Sequence, residues 1–168
     1  MRVFIVVFTV TLLMTNLFGR AIAADSTVVN RYQDWTVYKA QTNDGSLCFA
    51  ASTPKDYEPK NVNRGDIFFY VTTWPKFKVT QEVSVKLGYP LKKTSTPSIS
   101  IGAQNFTLFE KGDRAYIHNS LEKKLIKAMK GGQKMVVKGV SSRGTKTKDV
   151  YSLSGITAAL KASASACK

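Results

Sequence analysis

The stretch IFFYV, residues 67–71, is an unbroken run of apolar and β-favouring side chains. Such a run predicts a central β-strand that is covered on both faces, because apolar residues occupy both of its sides. The strand is expected to end at Trp74-Pro75, since proline has no N–H to donate to a neighbouring strand. A mainly β fold is therefore expected around this segment.

The tripeptide Arg64-Gly65-Asp66 directly precedes this strand. It has the sequence of a cell-adhesion signal, but it is also a suitable turn at the start of a strand. An adhesion signal needs an exposed loop tip, whereas Asp66 is followed at once by the apolar Ile67. We favour the turn, with a conformational requirement for glycine at its centre.

Further β segments lie on both sides of the central strand. Asp44-Gly45 predicts the turn of a hairpin, and residues 82–87 alternate between polar and apolar side chains, as a half-buried strand does. Residues 53–63 hold two prolines and no apolar period, which predicts a loop. In total, about eight strands are expected between residues 32 and 151.

Helical patterns appear only in the last third of the chain. Ser120 is expected to cap a short helix that ends at Gly131-Gly132, and the alanine-rich residues 152–167 predict a terminal helix. Short strands separated by turn signals, together with these two helices, predict a mainly β fold. We expect a single-domain antiparallel β-sandwich with two short peripheral helices.

Residues 1–23 have the pattern of a secretory signal peptide. Arg2 gives a positive start, residues 3–18 are almost wholly apolar, and small residues precede a cleavage site at Ala24. The alternative is an uncleaved membrane anchor, but the apolar run is shorter than the roughly 18 residues that span a bilayer. We therefore expect an exported domain at residues 24–168, with no transmembrane segment after cleavage.

The two cysteines are Cys48 and Cys167. An even number in an exported chain predicts a disulfide, because the compartments outside the cytoplasm are oxidising. Two free, buried thiols are the alternative. Two distant thiols and the single His118 do not form a ligand cluster, so we expect no metal site, and we expect no other cofactor.

The domain is strongly basic, and lysine supplies most of the charge. Without Arg2 and Arg20, 23 basic residues stand against 11 acidic ones, a net charge of +12, and 19 of the 23 are lysines. Sequence-specific nucleic-acid binding favours arginine at base edges, so we expect no specific nucleic-acid partner. An anionic surface in the cell envelope suits this diffuse charge, with simple solubility as the alternative. The densest cluster on one predicted element is Lys123, Lys124, Lys127 and Lys130.

The sequence offers little for catalysis. His118 is the only histidine, and no nucleophile stands beside it in a motif such as Gly-x-Ser-x-Gly. Isolated glycines such as Gly144 are typical of turns rather than of a phosphate-binding loop. We therefore expect a protein that is not an enzyme. A small envelope hydrolase that uses His118 is the least favoured alternative.

Several stretches together resemble one family. They are Asp34-Trp35, LCFAAS around Cys48, RGDIFFYVTTWP, EVSVKLGYPL, FTLFEKGDRAY, LIKAMKGGQKMVVKG and SSRGTKTKDVYSLSGITAALKASASAC. In this order and spacing they resemble the invasion-associated locus B family of exported Gram-negative proteins. The resemblance extends from about Arg31 to Cys167.

The resemblance implies a periplasmic or outer-surface protein with a β-sandwich fold and a role in bacterial entry into host cells. We accordingly expect a non-enzymatic envelope protein that contacts a polyanion, a host protein or an envelope protein whose identity the sequence does not give. The alternative is a structural or chaperone-like periplasmic protein that binds extended partners at a sheet edge.

Overall fold

The computed structural model describes residues 26–168, so the predicted signal peptide at residues 1–23 and its cleavage site lie outside the described residues. Two α-helices are present in the described part, α1 (Asn119–Gly131) and α2 (Ile156–Ala166), with a short 3-10 helix at Pro75–Phe77. Eleven strands accompany them: β1 (Ser26–Tyr32), β2 (Trp35–Thr42), β3 (Gly45–Ser52), β4 (Asp56–Glu58), β5 (Phe68–Trp74), β6 (Val79–Lys86), β7 (Ser98–Ile101), β8 (Gln104–Lys111), β9 (Arg114–Ile117), β10 (Lys134–Val140) and β11 (Lys146–Ser152).

The strands form one antiparallel sheet in the order β1-β2-β3-β5-β6-β9-β8-β7-β10-β11-β4. Strand β8 takes part in two pairings along its length. Its first half pairs with β7 through Gln104 to Thr107, and its second half pairs with β9 through Leu108 to Lys111. The sheet therefore divides at β8 into two halves, as expected where a strand passes from one layer of a sandwich to the other.

The inner faces of the two halves pack against each other. Phe69 of β5 meets Tyr151 of β11 edge to face, with ring centroids 5.7 Å apart. The indole Nε1 of Trp35 donates a hydrogen bond of 3.1 Å to the carbonyl oxygen of Ser152. Trp35, Phe69 and Tyr151 are fully buried in a single hydrophobic core. The predicted antiparallel β-sandwich with two helices is confirmed.

The central strand β5 differs from its prediction, because only one of its faces is buried. Phe69 and Val71 lie in the core, whereas Phe68 and Tyr70 are half-buried on the outer face. The guanidinium of Arg114 lies 4.5 Å from the centre of the Tyr70 ring, and Phe68 packs beside that ring at 5.6 Å. Aromatic contacts across the sheet thus shield the outer face without a second layer of structure.

Both helices bury one face in the core. Helix α1 contacts β6 and β8, and α2 contacts β1, β2, β3 and β5. The predicted cap at Ser120 is wrong, because α1 begins at Asn119 and is preceded by His118 in an extended conformation without a side-chain cap. Helix α2 begins later than predicted, because Ser152 still pairs with Lys134 at the end of β11.

Two strands lie in segments without a strand pattern. Strand β4 falls within residues 53–63, which were predicted as a loop. It pairs with the edge of β11 that is not occupied by β10. Strand β1 forms the opposite edge of the sheet. All three residues of β4 and the first six of β1 are exposed, so neither strand has the alternating apolar side chains that mark a half-buried strand.

A disulfide joins Cys48 in β3 to Cys167 at the end of α2, as the cysteine count predicted. The two Cα atoms are 5.8 Å apart, within the usual range for a disulfide. Lys39 lies near this connection and donates a hydrogen bond of 2.8 Å from its Nζ to the carbonyl oxygen of Ala166. The carboxyl end of α2 is therefore fixed to the sheet by a covalent bond and a charge-assisted hydrogen bond.

Candidate functional site

The four lysines predicted as a cluster are all exposed on α1. They are Lys123, Lys124, Lys127 and Lys130, called here the α1 lysines. A helix turns by about 100° per residue, so these positions share one side of α1, away from its buried side chains. Within residues 26–168, Lys55, Lys60, Lys76 and Lys148 each lie within 4.0 Å of a carboxylate, and none of the α1 lysines does.

A groove of about 840 Å³ lies beside the second half of α1. Its charged side chains are Lys124, Lys127 and Lys134, and no carboxylate lines it. The other lining residues come from the β7–β8 turn and the end of α1: Ile101, Gly102, Ala103, Gln104, Ala128, Gly131, Gly132 and Gln133. The groove therefore combines positive charge with a partly apolar floor, and its electrostatics favour an anionic ligand.

The structure brings two of the α1 lysines into the groove and leaves two out. Lys124 and Lys127 line the groove, whereas Lys123 and Lys130 are not among its lining residues. Lys134 was missed in the sequence, because it lies on β10 rather than on the helix. The sequence signal that could have identified Lys134 is Gly131-Gly132. These glycines end the helix, so the chain can turn and place Lys134 next to the end of α1.

Gly132 sets how closely the end of α1 approaches the sheet. A Cβ atom at this position would lie 2.6 Å from Cγ2 of Ile101 and 3.0 Å from Cδ1 of Leu153. Only glycine leaves enough space for the helix end to lie against β7 in this way. Gly132 therefore allows the end of α1 to pack closely against the side chains of Ile101 and Leu153.

Lys130 also has a structural role. Lys130 lies in the last turn of α1, where the helix dipole is negative. A positive side chain there contributes about 0.3–1 kcal/mol to helix stability. Substitution of Lys130 can therefore change stability as well as binding.

Arg64 of the Arg-Gly-Asp tripeptide is built into the fold. Its side chain is 5% exposed and makes hydrogen bonds of 2.7 and 2.8 Å to the two carboxylate oxygens of Asp149, which is fully buried. It also donates to the carbonyl oxygen of Leu87. Burial disfavours the charge on Arg64, but the bonds to Asp149 outweigh that effect and hold the pKa of the guanidinium above its usual value.

The predicted turn at Gly65 is wrong in its backbone requirement. Residues 63–67 have no regular structure and lead directly into β5. Gly65 does not adopt a positive φ, and its N–H donates a hydrogen bond of 2.8 Å to the carbonyl oxygen of Gly88. Gly88 is the residue with a φ of 77°, and a Cβ atom there would overlap the carbonyl oxygen of Gly65. The requirement for glycine therefore falls on Gly88.

The ring of His118 lies against Phe109, with centroids 4.7 Å apart, on the surface at the start of α1. In the described part of the chain, no group of three or more His, Cys, Asp or Glu side chains is arranged to hold a metal ion. In the same part of the chain, no helix combines the length and apolar character that a membrane span requires.

The fold and the groove define a β-sandwich protein with a lysine-lined surface. The family model described as "Invasion associated locus B (IalB) protein" matches residues 35–164, and the chain belongs to this family. The crystal structure of invasion associated protein B from Bartonella henselae has a similar fold, with a TM-score of 0.56 at 13% sequence identity. The similarity covers 79% of this chain and 92% of that one. Comparison with curated proteins gives no match.

Proposed function

We propose that this protein is an exported, non-enzymatic member of its family that contacts anionic polymers or surfaces through the α1 lysines. It acts in the periplasm or at the outer cell surface, and it contributes to interaction with host cells. The observation that carries the proposal is a groove whose charged side chains are all lysines, on a domain that is basic overall.

The physical basis is long-range attraction. Unpaired lysines raise the local concentration of anionic groups, and contact with those groups releases counterions. Exposed charges are screened within about 8 Å at physiological ionic strength, so the attraction weakens as salt is added. Binding by the α1 lysines is therefore strong at low salt and falls steeply with ionic strength.

Membership of an invasion-associated family supports the contribution to host-cell interaction. The fold shared with invasion associated protein B of Bartonella henselae agrees with it. A contact of this kind needs an accessible charged surface rather than a catalytic centre. The groove beside α1 provides such a surface.

The test is retention on anionic envelope vesicles across a salt series. The variant carries all four α1 lysines changed to glutamine, and a matched control carries four other exposed lysines changed in the same way: Lys92, Lys93, Lys111 and Lys161. Both variants lose the same net charge. Weaker retention of the α1 variant alone supports the proposal, and circular dichroism checks that both are folded. Equal retention of all three proteins, or no retention at low salt, contradicts it.

A second function, chaperone-like binding of extended partners, is favoured by the edge strand β1. Val28 and Val29 are 51% and 44% exposed, and β1 is paired on one side only. An extended chain can add to such an edge through backbone hydrogen bonds. Val29→Lys should weaken binding of an unfolded exported protein if this function operates, because lysine on an edge strand opposes pairing with another chain, and unchanged binding would exclude this edge. The hydrolase alternative needs an activity that His118→Ala removes.

A further inference from the structure

The outer face of the β10–β11 hairpin carries a second set of lysines. They are Lys134, Lys138, Lys146 and Lys148, called here the hairpin strip. Each is exposed or half-buried and alternates with buried residues, so all four project from the same side of the hairpin. Lys134 belongs to both the strip and the groove beside α1, which makes the two basic surfaces continuous.

Two lysines of the strip face each other directly. Lys138 is the cross-strand partner of Lys148 in the β10–β11 register. Like charges in directly opposite positions destabilise a sheet. Glu58 offsets part of this repulsion from a distance of 3.6 Å to Lys148, but Lys138 has no carboxylate within 4.0 Å in the described part of the chain. Fold stability therefore does not explain a lysine at position 138.

The strip is long and narrow. From Lys134 to Val140, the partner of Lys146, the strand advances by six residues, or about 20 Å. On one side the neighbouring strands contribute Ser98 and Thr107, which are opposite each other and uncharged. On the other side β4 places Asp56 and Glu58 on the same face. Asp56 and Glu58 are themselves ion-paired with Lys60 and Lys148, so the strip is bordered on this side by an edge of paired charges.

This distribution of charge favours a linear anionic polymer over a flat anionic membrane as the ligand. A flat anionic membrane laid across the whole face would bring its headgroups against the carboxylates of β4. A linear polymer aligned with β10 and β11 meets the lysines and avoids that edge. The hydroxyl groups of Ser98 and Thr107 lie beside the strip at the level of Lys138 and are suited to hydrogen bonds with sugar hydroxyl groups.

We propose that the hairpin strip binds a linear acidic polysaccharide, which lies along β10 and β11 and enters the groove at Lys134. This proposal rests on the proposed function and specifies the ligand class and its path. Charge provides the attraction, and the ion-paired β4 edge and the uncharged Ser98 and Thr107 on the β7–β8 side leave β10 and β11 as the path of the chain.

The probes are heparin-derived oligosaccharides of graded length, titrated against the natively disulfide-bonded protein. Affinity should rise with length until the chain spans the strip of about 20 Å, and then rise only slowly. The double variant Lys138→Gln/Lys148→Gln should reduce the slope of log Kd against log salt by about two, one for each lost contact. The control Lys92→Gln/Lys93→Gln should keep the wild-type slope. The strip variant should melt close to wild type, because it removes the repulsion between Lys138 and Lys148 together with the exposed ion pair of Lys148 with Glu58, which contributes little.

Other outcomes are equally decisive. Binding of anionic vesicles without binding of the oligosaccharides overturns the inference and leaves the proposed function intact. Failure of both probes overturns both. Equal binding of polyphosphate of matched length and charge, unaffected by Ser98→Ala/Thr107→Val, overturns the assignment of a sugar chain. If the strip variant keeps the wild-type slope of log Kd against log salt, the polymer does not bind at the hairpin and the inference is wrong.

Discussion

Arg64→Met should destabilise the protein severely, although Arg64 lies in a loop. The substitution keeps the length and apolar stem of the side chain but removes the guanidinium. Asp149 then remains fully buried and loses the partner that binds both of its carboxylate oxygens. Removal of one member of a buried ion pair costs about 3–5 kcal/mol, because the remaining charge is uncompensated. The carbonyl of Leu87 also loses its donor.

The assay is urea unfolding at pH 7, followed by tryptophan fluorescence, with the disulfide intact. Asp66→Glu is the control, because Asp66 is exposed in the same tripeptide and should change stability by less than about 0.5 kcal/mol. The double variant Arg64→Met/Asp149→Leu should recover much of the loss, because it leaves no unpaired charge. A loss below about 1 kcal/mol for Arg64→Met, or no recovery in the double variant, would refute the buried ion pair as the reason for this arginine.

Three further predictions concern the backbone, the disulfide and one carboxylate. Gly88→Ala should cost more than about 1 kcal/mol, because of its positive φ and overlap with a carbonyl, whereas Gly65→Ala should be nearly neutral in the same unfolding assay. Cys48→Ser/Cys167→Ser should lose about 4–5 kcal/mol, since the bridge closes a separation of 119 residues, and free thiols in the natively exported protein would contradict the pairing. Burial raises the pKa of Glu122 above its usual value of 4.5, so its charged form costs stability at neutral pH. Glu122→Gln should therefore raise the melting temperature at pH 7, with a gain that disappears below about pH 4.5; a gain that is independent of pH would exclude this cause.

The sequence predicts those strands in which burial produces a pattern. In β6, Val83 and Val85 are buried and alternate with polar neighbours, so the strand is evident from the period alone. Edge strands lack that signal, and β1 and β4 were missed for this reason. The prediction that both faces of β5 are buried is wrong. Phe68 and Tyr70 have the apolar character of core residues, but they lie on the outer face and shield one another from solvent.

The candidate site could be predicted only where its residues are neighbours in sequence. The α1 lysines are close together along one helix, so the cluster was evident. The hairpin strip depends on register: Lys138 and Lys148 are ten residues apart and become neighbours only through the pairing of β10 with β11. Arg64 and Asp149 are separated by 85 residues, and no local pattern connects them.

The pairing of β4 with β11 also bears on when the chain can fold. Asp56–Glu58 lie in the first half of the chain. Their strand partner, Lys148–Val150, lies near its end, so β4 cannot pair until that segment is present. Folds dominated by such distant pairings form slowly, typically in milliseconds to seconds. The entropy cost of closing a long loop has to be met before the contacts that stabilise it can form. A nascent chain that lacks its last twenty or so residues cannot complete this sheet. The β4 edge of the sheet is therefore assembled only after the carboxyl-terminal residues have been synthesised.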